Sequence, residues 1–131
     1  MRALVVEDEA DSRDLLVASL TRYGAEVIAV SSCAEALEQL ESAGARDIHV
    51  LVSDIGMPQH DGYELMRRVR ALEEHRAGVI PAIAVTGYAT EDDRGRALAA
   101  GFQGHVAKPI DPASVVVAVR RAMQDVSRRN A

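Results

Sequence analysis

Four short apolar runs in this chain end on groups that can do chemistry. "ALVV" runs into Glu7-Asp8, "IHVLVS" into Asp54, "IPAIAVT" closes on Thr86, and "GHVAK" closes on Lys108-Pro109. Brought together, three carboxylates repel one another and need a cation to offset them. Hard oxygen donors select Mg²⁺, which favours one or two carboxylates together with water or a phosphate. Lys108 would add a fixed positive charge. Singly, each residue has an ordinary use. An acid after a strand caps the next helix, Asp54 could form an Asx-turn before Pro58, a threonine ends a strand by packing, and a lysine is solvated. Their convergence is what would matter.

The rest of the chain must supply that convergence. Runs rich in β-branched residues, at 3–7, 26–30, 48–53, 80–86 and 104–108, alternate with segments of helical period. The first helical segment, "DSRDLLVASLTRYG", carries Leu15, Leu16, Ser19 and Leu20 around one side and stops at Gly24. The second starts at a serine cap, carries Ala36, Leu37 and Leu40, and stops at Gly44. The third carries Leu65, Met66, Val69 and Leu72 and stops at Gly78. The fourth has a Thr90 cap and a Gly101 stop, with Gly95 weakening its interior. The fifth is capped by Asp111 with Pro112 at its first position, and is rich in valine. Strand-helix repeated five times predicts a doubly wound α/β fold. A five-stranded parallel sheet carries helices on both faces. Such sheets bind ligands at the carboxyl ends of their strands, where the five polar residues would meet. One domain over 1–126 is expected, with "SRRNA" (127–131) as a short polar tail.

Composition narrows the function classes. The chain has 131 residues, 48% of them hydrophobic, 27% charged and only 3% aromatic, so the core is aliphatic. A net charge of −5 speaks against a phosphate-gripping nucleic-acid surface. The single cysteine, Cys33, allows no internal disulfide and fits a reducing compartment. The N-terminus reaches an acid by residue 7, and no apolar run approaches membrane-spanning length. A soluble cytoplasmic domain with no membrane contact is the expectation. His49, His60 and His75 lack metal-ligand spacing, and no Gly-rich loop follows the first strand, so a dinucleotide site is not expected.

From "LVVEDE" through "LVSDIGMPQHDGYEL" and "IAVTGYA" to "HVAKPID", the chain resembles the receiver domains of two-component response regulators. The match covers essentially its whole length. The resemblance implies a flavodoxin-like sheet order and a phosphoacceptor aspartate at Asp54. It implies Mg²⁺ held by Asp8 and Asp54, by the Gly56 carbonyl, and by Glu7 directly or through water. Thr86 takes the place of the switch hydroxyl and Lys108 that of the phosphate-binding lysine, with a cis Lys108–Pro109 bond plausible. The donor would be a histidine kinase or a histidine phosphotransfer protein. A downstream protein target would meet the fourth helix, fifth strand and fifth helix. His105 stands where the family usually carries a tyrosine or phenylalanine switch residue; it is a smaller ring that can titrate. Gly56 and Tyr88 occupy positions that tune dephosphorylation.

The wording is closest to receivers of hybrid histidine kinases, so a stand-alone regulator and a piece of a larger protein are both open. Rival readings are a degenerate receiver acting as a phosphate-independent interaction module, a small Mg²⁺-dependent phosphohydrolase using Asp54, and a flavodoxin-like binding module. The phosphohydrolase lacks a visible cap and a second placed acid. The flavin reading lacks aromatics.

Overall fold

Strand and helix alternate as the apolar periods require. The computed structural model describes residues 1–42, 48–56, 62–73, 79–87 and 91–130, apart from the side chains of 72, 91, 93, 129 and 130. The elements are β1 (Arg2–Val6), α1 (Ala10–Arg22), β2 (Glu26–Val30), α2 (Cys33–Glu41) and β3 (Val50–Asp54). They continue with α3 (Gly62–Glu73), β4 (Ala82–Thr86), α4 (Glu91–Ala100), β5 (Gly104–Ala107) and α5 (Pro112–Asn130). All five strands are parallel, in the order β2-β1-β3-β4-β5.

The sheet separates two apolar sets by the two-residue period of its strands. Leu4, Val6, Leu51, Ala82 and Ala84 join Leu40, Met66, Val69 and Ala97 of α2, α3 and α4. Ala3, Val5, Val52, Ile83, Val85 and Val106 join Leu16, Leu20, Val115 and Val119 of α1 and α5. Helices therefore cover both faces. β3 and β4 are buried at every position, as central parallel strands are.

The helix signals act largely as expected. The Ser32 hydroxyl accepts from the Glu35 N–H at 3.2 Å and opens α2. Asp111 accepts from the Ala113 N–H at 3.3 Å and from the Ser114 hydroxyl at 3.0 Å, and Pro112 leads α5. Gly24 and Gly101 close α1 and α4 with φ of 101° and 112°. α4 forms despite Gly95, and α5 forms because Val115 and Val119 bury against the sheet. The stops at Gly44 and Gly78 and the Thr90 cap lie outside the described residues.

Two expectations differ. Leu15 faces solvent at 44% exposure, and Ser12 joins Leu16, Ser19 and Leu20 on the buried side of α1. Ser19 is satisfied there, its hydroxyl donating to the Leu15 carbonyl at 2.7 Å. α5 does not end at Val126 but runs on to Asn130, so residues 127–130 are helix rather than a separate tail. Arginine favours helix, and nothing at 127 breaks it.

Gly62, at the start of α3, lies tight against the segment after β3. A Cβ there would come within 2.8 Å of Ile55 Cα and 3.0 Å of the Asp54 carbonyl oxygen. We expect Gly62→Ala to destabilise the fold by about 1–3 kcal/mol in urea unfolding. An unchanged midpoint would show that the Ile55 backbone yields without cost.

Candidate functional site

Strand parity and register bring the polar residues to one edge. Val5, Val52 and Val106 point to the α1/α5 side. Glu7, Asp54 and Lys108 each come two residues later and share their phase. β1 pairs Val6 with Ser53, so Glu7 emerges beside Asp54. The ladder continues past the strand ends. The Glu7 N–H donates to the Val30 carbonyl at 3.1 Å, the Ile55 N–H to Val85 at 3.1 Å, and the Lys108 N–H to Thr86 at 2.8 Å. These bonds fix the backbone of each site residue.

The side chains meet as the phase requires. Lys108 Nζ lies 3.1 Å from Glu7 Oε1 and 3.2 Å from Asp54 Oδ2, bridging the two carboxylates. Asp54 Oδ1 accepts from the Gly56 N–H at 2.8 Å. One carboxylate oxygen each from Glu7, Asp8 and Asp54 lie within 4.8 Å of one another. Glu7 is wholly buried and Asp54 nearly so, while Asp8 is exposed. Thr86 is buried at the end of β4. A cleft of about 310 Å³ opens here, lined by Asp54, Ile55, Gly56, Tyr63, Thr86, Gly87, Arg96 and Lys108. The Lys108–Pro109 bond is cis.

The electrostatics follow from burial and like charge. Burial, helped by the charge of Asp54, pushes the Glu7 carboxyl from 4.5 up to about 7. The hydrogen bonds from Lys108 and the Glu9 N–H, and the Lys108 charge, oppose the rise without cancelling it. Burial works to lower Lys108, but its hydrogen bond to Glu7 and the charge of Asp54 prevail and hold it above its ordinary value. Glu7 Oε2 is buried and has no hydrogen-bond partner. A buried, unpartnered carboxylate oxygen facing two further carboxylates is a donor set suited to a hard divalent cation.

Glu7, Asp8, Asp54, Gly56, Thr86 and Lys108 thus share one rim. His105 does not join them. It is exposed on β5, paired in register with Ala84, and desolvation together with the Arg94 charge holds its imidazole below 6.5. Met57, Pro58, His60, His75 and Tyr88 lie outside the described residues. His49 has a structural use, its Nδ1 accepting from the Arg2 N–H at 2.9 Å. Three residues were not singled out in the sequence. Arg13 reaches back from α1 to the Glu7 and Asp8 carbonyls at 2.9 and 3.4 Å. Tyr63 and Arg96 pack together on the cleft wall, the guanidinium 4.7 Å from the ring centroid. No local signal marks the first. Nothing local hints at the second.

Residues 3–120 match the family model described as the response regulator receiver domain. The chain belongs to this family. As a receiver domain, it is a module of two-component signalling. A 14.6 kDa protein of Leptolyngbya boryana, described as uncharacterized, is 43% identical over 92% of this chain and 88% of its own length. Chemotaxis protein CheY1 of Helicobacter pylori is 34% identical over 86% of this receiver and 88% of its own length. Probable histidine kinase 2 of Oryza sativa is also 34% identical, over 91% of this receiver, but the match spans only 12% of the kinase. The structure of CheY4 of Vibrio cholerae superimposes with a TM-score of 0.81 at 25% identity, covering 92% of this chain and 97% of that one. Receiver domains typically bind Mg²⁺ at an acidic pocket, and this chain brings Glu7, Asp8 and Asp54 into one acidic cluster.

The raised Glu7 carboxyl makes stability depend on pH. Between 4.5 and about 7 the folded receiver keeps a proton that the unfolded chain has lost. This group's contribution is therefore complete below 4.5 and declines as pH rises to about 7. In chelator, Glu7→Gln should gain stability relative to wild type as pH rises from about 5 to about 8, read as urea midpoints. Parallel profiles for the two proteins would show that Glu7 does not carry the proton.

Proposed function

We propose that Asp54 accepts a phosphoryl group from a phosphohistidine on a histidine kinase or histidine phosphotransfer protein, and that the phosphorylated domain changes its protein contacts. The observation that carries this reading is the bridge from Lys108 to both Glu7 and Asp54, beside the exposed Asp8 carboxylate. Phosphoryl transfer asks for positioning and charge neutralisation more than for covalent help. Asp54 Oδ would attack phosphorus while the bond to the donor nitrogen breaks. The Gly56 N–H holds Oδ1 and Lys108 holds Oδ2, so the carboxylate plane is fixed before attack.

Mg²⁺, when held by Asp8, Asp54, the Gly56 carbonyl and Glu7 directly or through water, would supply positive charge against the phosphoryl oxygens. Lys108 would then exchange a carboxylate partner for a phosphoryl oxygen. Gly87 leaves room above the acceptor, nothing lying within 4 Å of a Cβ built there. The Thr86 hydroxyl would turn to the new phosphoryl group and draw the segment after β4 with it. His105, exposed on β5 and a smaller ring than the family's usual tyrosine or phenylalanine, would contribute a smaller surface change. The domain would assist its own phosphorylation and dephosphorylation without turning over an external substrate. Among the described residues no helix is long and apolar enough to cross a membrane.

Asp54→Asn, nearly isosteric, should fold normally but give no phosphoryl adduct by intact mass after incubation with a small phosphodonor and Mg²⁺; labelling at the wild-type rate would move the acceptor elsewhere. Wild-type labelling should stop with a chelator. Lys108→Ala should still accept phosphate, more slowly, but its amide spectrum should lack the phosphorylation-dependent changes of wild type. A full set of changes would remove Lys108 from the switch.

A further inference from the structure

We propose that Tyr63 and Arg96 form an anion subsite at the mouth of the Asp54 cleft, one that takes the carboxylate leaving group of an acyl phosphate. The proposal rests on Asp54 being the phosphoacceptor. Two groups of residues line the cleft. Asp54, Thr86 and Lys108 come from the strand ends, and Tyr63 and Arg96 come from α3 and α4.

Arg96 is held yet uncommitted. Its guanidinium stacks over the Tyr63 ring at 4.7 Å from the centroid. Tyr63 is half-buried and packs against the core, so it offers a fixed platform. Among the described residues Arg96 forms no ion pair, whereas Lys108 is engaged by Glu7 and Asp54. Glu7, Asp8 and Asp54 place three carboxylates against that one ammonium. An incoming phosphodonor adds further negative charge, and Arg96 is the other cation among the described lining residues.

The reaction gives that cation a use. Asp54 Oδ forms a bond to phosphorus as the phosphorus–oxygen bond to the acyl group breaks. The carboxylate departs with the electron pair, and nothing is oxidised or reduced. In-line displacement places it on the side away from Asp54, toward the cleft mouth. A guanidinium recognises a carboxylate through two parallel hydrogen bonds. Phosphoramidate is the control. Its nitrogen is already protonated, its phosphorus–nitrogen bond breaks, and neutral ammonia leaves with no need of a cation.

The test follows phosphorylation by intact mass with acetyl phosphate and with phosphoramidate, in Mg²⁺, on wild type, Arg96→Ala, Tyr63→Phe and Tyr63→Leu. Arg96→Ala should slow the acetyl phosphate reaction about two- to fivefold, the scale of one exposed charge contact, and shift the phosphoramidate rate far less. Tyr63→Leu removes the platform and should move the donor ratio in the direction of Arg96→Ala, while Tyr63→Phe keeps the ring and should move that ratio less than Tyr63→Leu does. Rising ionic strength should narrow the difference between wild type and Arg96→Ala. Equal slowing with both donors, or no slowing with either, overturns the subsite. An adduct on Asp54→Asn would overturn the acceptor assignment instead, which separates the two failures.

Discussion

Two carboxyl groups at the ends of adjacent buried strands can share an edge only if a cation or a retained proton offsets their repulsion. In this receiver the cation is the Lys108 ammonium, within 3.1–3.2 Å of Glu7 and Asp54. Those partners are 101 and 54 residues away along the chain. Their meeting depends on the order of the strands, on the parallel register, and on the two-residue phase that aims all three the same way. Moving any one strand by a single residue would send its site residue to the opposite face. The aliphatic packing on the two faces of the sheet prevents such a slip, because it would carry Val5, Val52 or Val106 out of its apolar layer as well.

The lysine leaves the charge balance incomplete. It neutralises one acid of three, and burial keeps the Glu7 carboxyl reluctant to ionise. Energy is stored here as incomplete solvation, not as distorted backbone: among the described residues, only glycines adopt positive φ. A site arranged this way favours whatever brings compensating charge. It is therefore sensitive to ligands that alter local charge, which is what a signalling module requires.

Much of this was legible in the chain. The β-branched runs gave the strands to within two residues, and parallel topology followed from the alternation with helices. Asp54, Asp8, Glu7, Thr86 and Lys108 were legible because strand ends are marked by where an apolar run stops. Leu15 was misplaced because a helical stripe is broad, and its edge depends on how α1 tilts against the sheet. The extent of α5 was misjudged because polar residues from 127 on looked like an end, whereas a helix needs a breaker and none is present. Tyr63 and Arg96 escaped notice for a different reason. They lie 33 positions apart, on separate helices, and only the packing of α3 beside α4 makes them neighbours.

α4 is held unevenly. At its C-terminal end Ala97 and Phe102 are buried, the Phe102 N–H donates to the Ala97 carbonyl at 3.0 Å, and Arg70 donates to the Gly101 carbonyl. Toward its start, Asp92, Arg94, Gly95 and Arg96 are exposed. The two ends of this rod are therefore anchored by different means. The stack of Arg96 on Tyr63 is the contact described for the exposed half, so the ten-residue helix is tied to α3 there by one side chain and to the core at its other end. A substitution on the exposed half can thus alter the surface of α4 without opening the core, whereas one at Ala97 or Phe102 cannot.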